Sequence, residues 1–463
     1  MVPAWASHTQ GGPGKMVLQP ASRPGASRTT PPEEGPTLRR AFLLPVVFLT
    51  YSLAYLDRAN YGFGAAAGLA QTLHITQARS ALLGALFFLG YFAFQIPGML
   101  LARRVSSTRL CFVALLLWGV LATLTGVIRS FPWLAADRLL LGVAESVIFP
   151  AMLLLLTRWF TRAERSRANT VLMLGNPVTV LWMSVLTGFL IQRFGWQRTF
   201  IYEGLPAILW AFLWLAIVRD EPAQARWVPA DETQRLRAEH AAEPTSVHFY
   251  GGGDRDQASI SLAETLLSRS VVLLAVQYFC WSLGVYGFVL WLPTVVRRGA
   301  TLAAHGQLLS MSNTGLLSAV PYVAAITLMI LVARRSDRTL QREALVWPFL
   351  LLAGLAMLGS FLAADSFGVA FTCLVVAGGC MYAPYGPFFA IIPERTPRQF
   401  NGEAFALINS SGALGGFAGS YLVGLLSALT GGHRAGDLLM AGSLIASALL
   451  LFLLPKVPLG SRS

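Results

Sequence analysis

The sequence predicts an all-α polytopic membrane protein whose twelve transmembrane helices form two pseudo-symmetric six-helix bundles. Three observations support this fold class: only 12% of the 463 residues are charged, 55% are hydrophobic, and the apolar residues form long continuous runs. Soluble domains carry about 25% charged residues, so this chain has too few to cover a water-exposed surface. Barrel strands alternate in hydropathy and these runs do not, which favours helices that satisfy their own backbone hydrogen bonds.

Twelve apolar runs are each long enough to cross a bilayer, and one long polar stretch divides them into six and six. We expect a disordered cytoplasmic tail, a six-helix bundle, a cytoplasmic linker, a second six-helix bundle and a short cytoplasmic tail. In that order, the segments are 1–38, 39–218, 219–269, 270–456 and 457–463. The expected spans are about 41–69, 80–101, 109–128, 133–157, 168–191, 200–218, 270–294, 307–333, 344–363, 367–392, 402–429 and 435–455.

The distribution of arginine predicts the orientation in the membrane. If the N-terminus is cytoplasmic, the short loops on that side carry about twice as many arginines as the opposite loops. This bias places both termini and the linker in the cytoplasm. It also accounts for the net charge of +13 without a nucleic-acid partner. Because lysine occurs only at Lys15 and Lys456, a GC-rich bacterial genome, and therefore a bacterial inner membrane, is favoured.

Cysteines and histidines give no sign of a metal or cofactor site. The four cysteines lie inside apolar runs at spacings that match no metal or disulfide framework. We interpret them as small buried hydrophobic side chains. The six histidines fall in tails or loops. We therefore expect no cofactor and no metal.

Ionisable residues inside the apolar runs are the strongest indication of function, because each costs at least about 2.5 kcal/mol at mid-bilayer. Asp57 and Arg58 lie late in span 1, and adjacent helical residues need separate partners. Arg138 and Glu145 lie two turns apart on one face of span 4, with about 10 Å between them. This gap leaves room for a small anion, or for Asp57 to approach Arg138. The alternative is a structural cluster that only pins helices 1 and 4 together.

Arginine and glutamate suit different tasks in such a cluster. A guanidinium binds a carboxylate through two parallel hydrogen bonds, so Arg58 and Arg138 are candidate ligands of an anion. A buried carboxyl group can exchange a proton, so Glu145 is a candidate proton carrier. Glu203, at the start of span 6, is expected to reach water and to have a structural role.

Polar side chains within the spans are further candidates for binding, since tyrosine and asparagine can hydrogen-bond a ligand. Some of the tyrosines are alternatively interfacial anchors. The candidates are Tyr55, Tyr61, Tyr91, Asn176, Tyr286, Tyr382, Tyr385 and Asn409. The loop charges Arg103, Asp337 and Arg338 are predicted to form a network that latches one conformational state, and a plain solvated loop is the alternative.

Motifs over about residues 41–430 resemble the major facilitator superfamily, and within it the anion:cation symporter family. In the first half the matching motifs are Tyr55-Leu56-Asp57-Arg58 with Asn60, Arg138 to Glu145 followed by Phe149-Pro150-Ala151, Gly195-Trp196-Gln197-Arg198 and Glu203-Gly204-Leu205-Pro206-Ala207. In the second half they are Tyr286-Gly287-Phe288, Trp291-Leu292-Pro293, Ser336-Asp337-Arg338, Gly386-Pro387-Phe388 and Ile408-Asn409-Ser410-Ser411-Gly412.

The resemblance implies proton-coupled uptake of a small organic anion, such as a sugar acid, hydroxy acid or aromatic carboxylate, by a monomer with alternating access. It assigns proton coupling to Asp57 and Glu145, and binding or gating of the substrate carboxylate to Arg58 and Arg138. It also implies that helices 1, 4, 7 and 10 line the cavity.

An organic-acid exporter and a non-transporting sensor with the same fold are the alternatives. An enzyme is not expected, because no nucleophile–base set, metal cluster or phosphate loop is visible. Two positions depart from the family pattern. Ala102 stands where the loop after helix 2 usually has an acidic residue, and Phe389 stands where relatives often have tryptophan.

Overall fold

The computed structural model describes residues 38–242, 261–339, 341–363, 365–397, 400–430 and 434–455, and every regular element in these ranges is helical. The predicted tails, apart from Leu38, and residues 243–260 of the predicted linker lie outside the described residues.

Eleven helices in the described ranges are long and apolar enough to cross a membrane. One of them, Val171–Ile217, has 47 residues. Its length of about 70 Å is more than twice the hydrocarbon thickness of a bilayer. Gly195 interrupts it with a φ of 78°, in the left-handed region that favours glycine. This segment therefore crosses twice, and the prediction of twelve transmembrane helices in an all-α fold is confirmed.

The spanning helices are numbered α1 to α12 in chain order. They are α1 Leu38–Ala66, α2 Gln77–Arg104, α3 Ser107–Thr125, α4 Phe131–Trp159, α5 162–194, α6 196–217, α7 Arg269–Ala303, α8 Met311–Thr339, α9 Trp347–Leu362, α10 Phe367–Arg395, α11 Asn401–Thr430 and α12 Arg434–Leu450. Three short α-helices, Leu69–Thr72, Ala230–Ala242 and Leu262–Leu266, lie between them.

Helix ends differ from the predicted spans where local chemistry extends a helix. α5 begins at Arg162, ahead of the predicted start, because Thr161 and Glu164 form a capping box that satisfies the first backbone N–H groups. α7 continues to Ala303 with Pro293 inside it. Transmembrane helices tolerate proline because neighbouring groups satisfy the freed carbonyl.

Two helices are interrupted close to the centre of the protein. α4 breaks at Val147, three residues before Pro150. Because proline has no backbone N–H, the carbonyl of the residue four positions before Pro150 loses its helical hydrogen bond. α10 breaks at Ala383 and Pro384. The breaks place Glu145 at the end of the first part of α4, and Tyr382 and Tyr385 on either side of the interruption in α10.

The two halves touch on the face opposite the helix Ala230–Ala242, here called the distal face. A Cβ on Gly62 of α1 would lie 2.4 Å from the carbonyl oxygen of Leu290 in α7. Arg297 of α7 donates a hydrogen bond of 2.5 Å to the carbonyl of Ala66 at the end of α1. The distal ends of α1 and α7 are therefore in direct contact across the two halves.

Glycine also fixes the approach of α2 to α4, the helix that carries Arg138 and Glu145. A Cβ on Gly142 would lie 1.9 Å from the carbonyl oxygen of Phe87, and one on Gly90 would lie 2.0 Å from that of Leu139. These atoms are backbone, so a methyl group at either position would force the helices apart.

We expect Gly142→Ala to lower the melting temperature of the purified protein by about 1–3 °C, because overpacking typically costs 1–3 kcal/mol and a chain of this size loses about 1 °C per kcal/mol. Thermal unfolding in detergent measures the effect. Gly442→Ala is the matched control, since a Cβ there meets no atom within 4 Å. Equal melting temperatures for the two variants would contradict the close approach of α2 to α4.

Candidate functional site

A small central cavity lies between the two halves. Helices α1, α2, α4 and α5 line it from the first half, and α7, α10 and α11 line it from the second. Its volume of about 30 Å³ holds roughly one or two water molecules. A larger ligand therefore requires the halves to separate.

The cavity gathers six of the side chains singled out from sequence as binding residues: Arg58, Tyr91, Asn176, Tyr286, Tyr385 and Asn409. Four others, Tyr55, Tyr61, Arg138 and Tyr382, do not line it in this conformation. Sequence reasoning did not select the lining residues Tyr51, Phe88, Phe149, Met173 and Tyr278, and it noted Phe389 only as a departure from the family pattern. Helical spacing was a usable signal, because Tyr51 lies seven residues before Arg58 and Tyr278 lies eight before Tyr286, each on the same helix face.

Arg58 and Glu145 form a buried ion pair at the wall of the cavity. The Arg58 Nε donates a hydrogen bond of 2.7 Å to Glu145 Oε1, and its Nη2 contacts the same oxygen. Glu145 is fully buried, and no donor among the described residues reaches its Oε2. The guanidinium carbon of Arg58 lies 4.6 Å from the ring centre of Tyr91. α1 thus supplies Arg58 as the partner of Glu145, whereas Asp57 bonds Trp118 and Asn60 and does not pair with Arg138 as one predicted option had it.

Arg138 lies apart from this pair. Its guanidinium packs over the rings of Tyr61 and Phe87, at 5.0 and 5.6 Å from their centres, and its Nε donates to the carbonyl of Leu83 at 3.4 Å. In the described part of the chain, no carboxylate lies within ion-pairing distance of Arg138. Its contact with a substrate remains a prediction.

Asp57 belongs to a second buried network on the other side of α1. It accepts hydrogen bonds from the Trp118 indole and, at 3.2 Å, from Asn60 Nδ2. The same Asn60 nitrogen donates to Glu203 Oε2 at 3.1 Å, and Thr187 donates to the other Glu203 oxygen. Asp57 and Arg58 therefore have separate partners, as neighbours on a helix must. Glu203 is only 5% exposed, so the expectation that it reaches water was wrong.

Two tyrosines outside the cavity connect the halves. The hydroxyls of Tyr55 on α1 and Tyr382 on α10 lie 3.4 Å apart, and both side chains are buried. Neither side chain lines the cavity, so their contact with a substrate remains a prediction.

The predicted loop network cannot be followed in full. The side chains of Arg103 and Asp337 lie outside the described residues, and Arg338 is exposed at the end of α8. A different charge cluster lies beside the helix Ala230–Ala242. Arg39 donates to Glu164 at 2.8 Å and to Glu232 at 2.9 Å, so it ties the start of α1 to α5 and to the linker.

Glu164 is the centre of that cluster and lies in the first turn of α5, before the candidate membrane span that begins at Val171. Burial opposes ionisation of its carboxyl group, but hydrogen bonds from Thr161 and Arg40 and the charges of Arg39 and Arg40 outweigh burial and lower its pKa. A carboxyl group with a lowered pKa stabilises the fold above its unfolded pKa of about 4.3, and this stabilisation is lost as the pH falls through the folded pKa.

We therefore expect Glu164→Gln to lower the melting temperature by about 2 °C or more at pH 7. The difference from the wild type should shrink towards zero as the pH is lowered below about 4, where the wild-type carboxyl group also becomes neutral. Melting curves of both proteins between pH 3.5 and 8 measure this. A difference that does not change with pH would show that the charge of Glu164 is not what stabilises the cluster.

The amino-acid sequence is similar to a family model and to transporters of known name. The family model described as Major Facilitator Superfamily matches residues 47–420 and 303–462. A protein named as a tartrate transporter in Agrobacterium vitis is 30% identical over 427 residues, covering 89% of this chain and 90% of the relative. The quinolone resistance transporter of Acinetobacter baumannii is 30% identical over 407 residues, covering 85% of this chain and 88% of the relative.

A solved structure shares the fold. The xylose transporter XylE from E. coli, in an inward open conformation, superposes with a TM-score of 0.69 at 14% identity, covering 90% of this chain and 97% of that one. The relatives are transporters rather than enzymes, which agrees with the sequence prediction. The family model and these relatives show that the chain is a multi-pass membrane transporter that belongs to the Major Facilitator Superfamily.

Proposed function

We propose that this transporter carries a small organic anion together with a proton into a bacterium by alternating access. The observation that carries the proposal is the ion pair of Arg58 and Glu145 at the wall of the central cavity. Arg58 is the one charged side chain among the described residues that line this cavity. The name of the tartrate transporter gives independent support for an organic anion as the cargo.

The pair suggests how anion and proton are coupled. An anionic partner offsets the cost of burying the Arg58 guanidinium, and Glu145 supplies it while the cavity is empty. A proton on Glu145 removes that negative charge and frees the guanidinium to bind the carboxylate of a substrate. Arg58 is then neutralised either by Glu145 or by the substrate, so each bound anion brings one proton with it.

The remaining predicted residues have less direct roles in this proposal. Asp57 is a second candidate proton carrier, held by Trp118 and Asn60 away from the cavity. Arg138, Tyr55 and Tyr382 would reach the substrate only after the halves move. We also propose a monomer, with both termini and the linker in the cytoplasm and the distal face outside, as the arginine bias indicates.

Export is the second candidate function, because one relative is named as a quinolone resistance transporter. The same fold and the same pair would serve an exporter if protons entered while the cargo left. The direction of net flux separates the two candidates.

Proton influx into proteoliposomes tests the proposal. Vesicles that hold a pH-sensitive dye receive, one at a time, a panel of organic acids that includes tartrate, gluconate, phthalate and 4-hydroxybenzoate. Protein-free vesicles correct for passive entry of each neutral acid. Influx above this background for at least one acid is expected. Influx with none of them, from folded protein, would overturn proton symport of an organic anion.

A further inference from the structure

We propose that a pocket at the distal face is a second anion-binding site, which takes a small carboxylate before it reaches the central cavity. This distal pocket is lined by α1, α2, α7 and α11 and has a volume of about 570 Å³. Pockets of about 300–1,000 Å³ commonly hold small-molecule ligands. The inference rests on the proposed function only for the identity of the anion as the cargo.

The charge in the distal pocket is of one sign. Arg297 and Arg298 of α7 line it, and none of the other described lining residues carries a charge. A cleft lined by one sign of charge raises the local concentration of ions of the opposite sign. The uncharged polar groups of the lining are amides and hydroxyls, which can donate hydrogen bonds to a carboxylate. They belong to Gln71, Gln77, Thr294, Thr301 and Ser427.

Arg297 keeps donors available for a ligand. Its Nη1 donates to the carbonyl of Ala66, and its Nε donates to the carbonyl of Leu309 at 3.3 Å. No acceptor among the described residues bonds its Nη2, and none of their carboxylates forms an ion pair with Arg297. Backbone carbonyls do not neutralise a full positive charge. A carboxylate in the pocket would supply that charge and accept from the remaining N–H groups.

The distal pocket lies on the approach to the central cavity. Tyr286 of α7 lines the central cavity, and Arg297 follows it by eleven residues, about 16 Å along the helix. The halves are closed between these two levels. A Cβ on Gly424 of α11 would lie 2.6 Å from the ring of Trp291 in α7 and 2.3 Å from Ala81 in α2. An anion arriving at the distal face therefore meets the arginines first.

The alternative is that Arg297 only caps α1, because cations stabilise the C-terminal ends of helices. Capping explains the hydrogen bond to Ala66. It requires neither a second arginine in the lining nor a pocket of this volume without an acidic residue among its described lining. An anion site accounts for all three features.

A cysteine introduced by Thr294→Cys reports the charge in the pocket, since Thr294 lies three and four residues before the two arginines on the same helix face. Purified full-length protein in uncharged detergent reacts with either sulfonatoethyl or trimethylammonioethyl methanethiosulfonate, which carry opposite charges. Protein without an added cysteine corrects for the four native ones. Ser366→Cys is the matched control, because Ser366 is exposed at the start of α10 on the same face and makes no capping hydrogen bond.

The rate ratio of the anionic to the cationic reagent should be at least about tenfold higher at Thr294→Cys than at Ser366→Cys. Adding Arg297→Gln and Arg298→Gln together should bring the two ratios within about twofold of each other. Arg298→Gln alone keeps the contact between Arg297 and Ala66, and it should lower the ratio at Thr294→Cys at least about threefold. Equal ratios at the two cysteines of the otherwise unchanged protein would overturn the inference.

Tartrate distinguishes a binding site from a merely charged surface. It should slow the anionic reagent at Thr294→Cys at least about threefold more than sodium chloride of equal ionic strength does. This protection should persist when Arg58→Gln and Glu145→Gln are both added. Equal slowing by chloride would show screening without a site. Protection that disappears with the two central substitutions would place the anion in the central cavity. Either result would overturn the inference.

The proposed function is tested separately by proton influx into proteoliposomes. If tartrate protects Thr294→Cys but no acid drives influx, the distal anion site stands and proton symport fails. If an acid drives influx but tartrate gives no protection beyond that of chloride, proton symport stands and the distal site is wrong.

Discussion

Replacing Arg58 by glutamine should reduce organic-anion uptake at least about a hundredfold, because it removes the cation that lines the cavity. The substrate carboxylate would enter a buried site without a positive partner. Initial uptake rates in proteoliposomes measure the loss. Arg58→Lys keeps the charge but not the planar fork of donors, so its rate should lie between those of the wild type and Arg58→Gln.

Two controls make this result interpretable. Arg129→Gln changes an exposed arginine remote from the cavity and should transport at the wild-type rate. Arg58→Gln also leaves Glu145 buried without its cation, which is itself destabilising. The double variant Arg58→Gln/Glu145→Gln removes this penalty, and it should recover folded yield without recovering transport. Wild-type uptake by Arg58→Gln or by the double variant would exclude Arg58 as the substrate ligand.

Glu145→Gln should abolish accumulation of the substrate against its gradient and leave exchange of internal for external substrate intact. Glutamine resembles the protonated glutamate and cannot release a proton, so the cavity stays ready for an anion in every step of the cycle. Uphill uptake driven by an inward proton gradient, and counterflow without one, are the two measurements. The pH dependence of counterflow should also flatten in the variant.

Glu203→Gln is the matched control, since Glu203 is also a buried glutamate in a span, but it contacts Asn60 and Thr187 rather than Arg58. It should retain uphill uptake. If Glu145→Gln still accumulates substrate, the coupling proton is carried elsewhere, and Asp57 becomes the leading candidate.

The fold could be predicted from sequence because the bilayer leaves few options for a chain with long apolar runs. The α5–α6 turn was also predicted, as the gap between the apolar runs 168–191 and 200–218, and the structure places it at Gly195, whose backbone is left-handed. The exact ends of α5 and α7 could not be predicted from hydropathy. A capping box and a tolerated proline extend them beyond the most apolar stretch.

The charged part of the site was visible in the sequence, but its pairing was not. Arg58, Arg138 and Glu145 were selected because charge within a span is costly. Which arginine meets Glu145 depends on how α1 is rotated against α4, and hydropathy does not determine this. The aromatic lining was harder to select. Tyr51, Tyr278 and Phe88 look like ordinary apolar helix residues until both halves are placed around the cavity.

If a proton on Glu145 frees Arg58 for the anion, binding of the anion must be accompanied by uptake of a proton. Purified protein in weakly buffered detergent solution near pH 7 is titrated with 4-hydroxybenzoate and, separately, with tartrate, while a pH indicator is recorded. For any acid that binds, the wild type should take up protons as it binds, approaching one per anion bound, and Glu145→Gln should bind the acid with no uptake. Binding to the wild type without proton uptake, or equal uptake by Glu145→Gln, would show that Glu145 does not take up a proton when the anion binds.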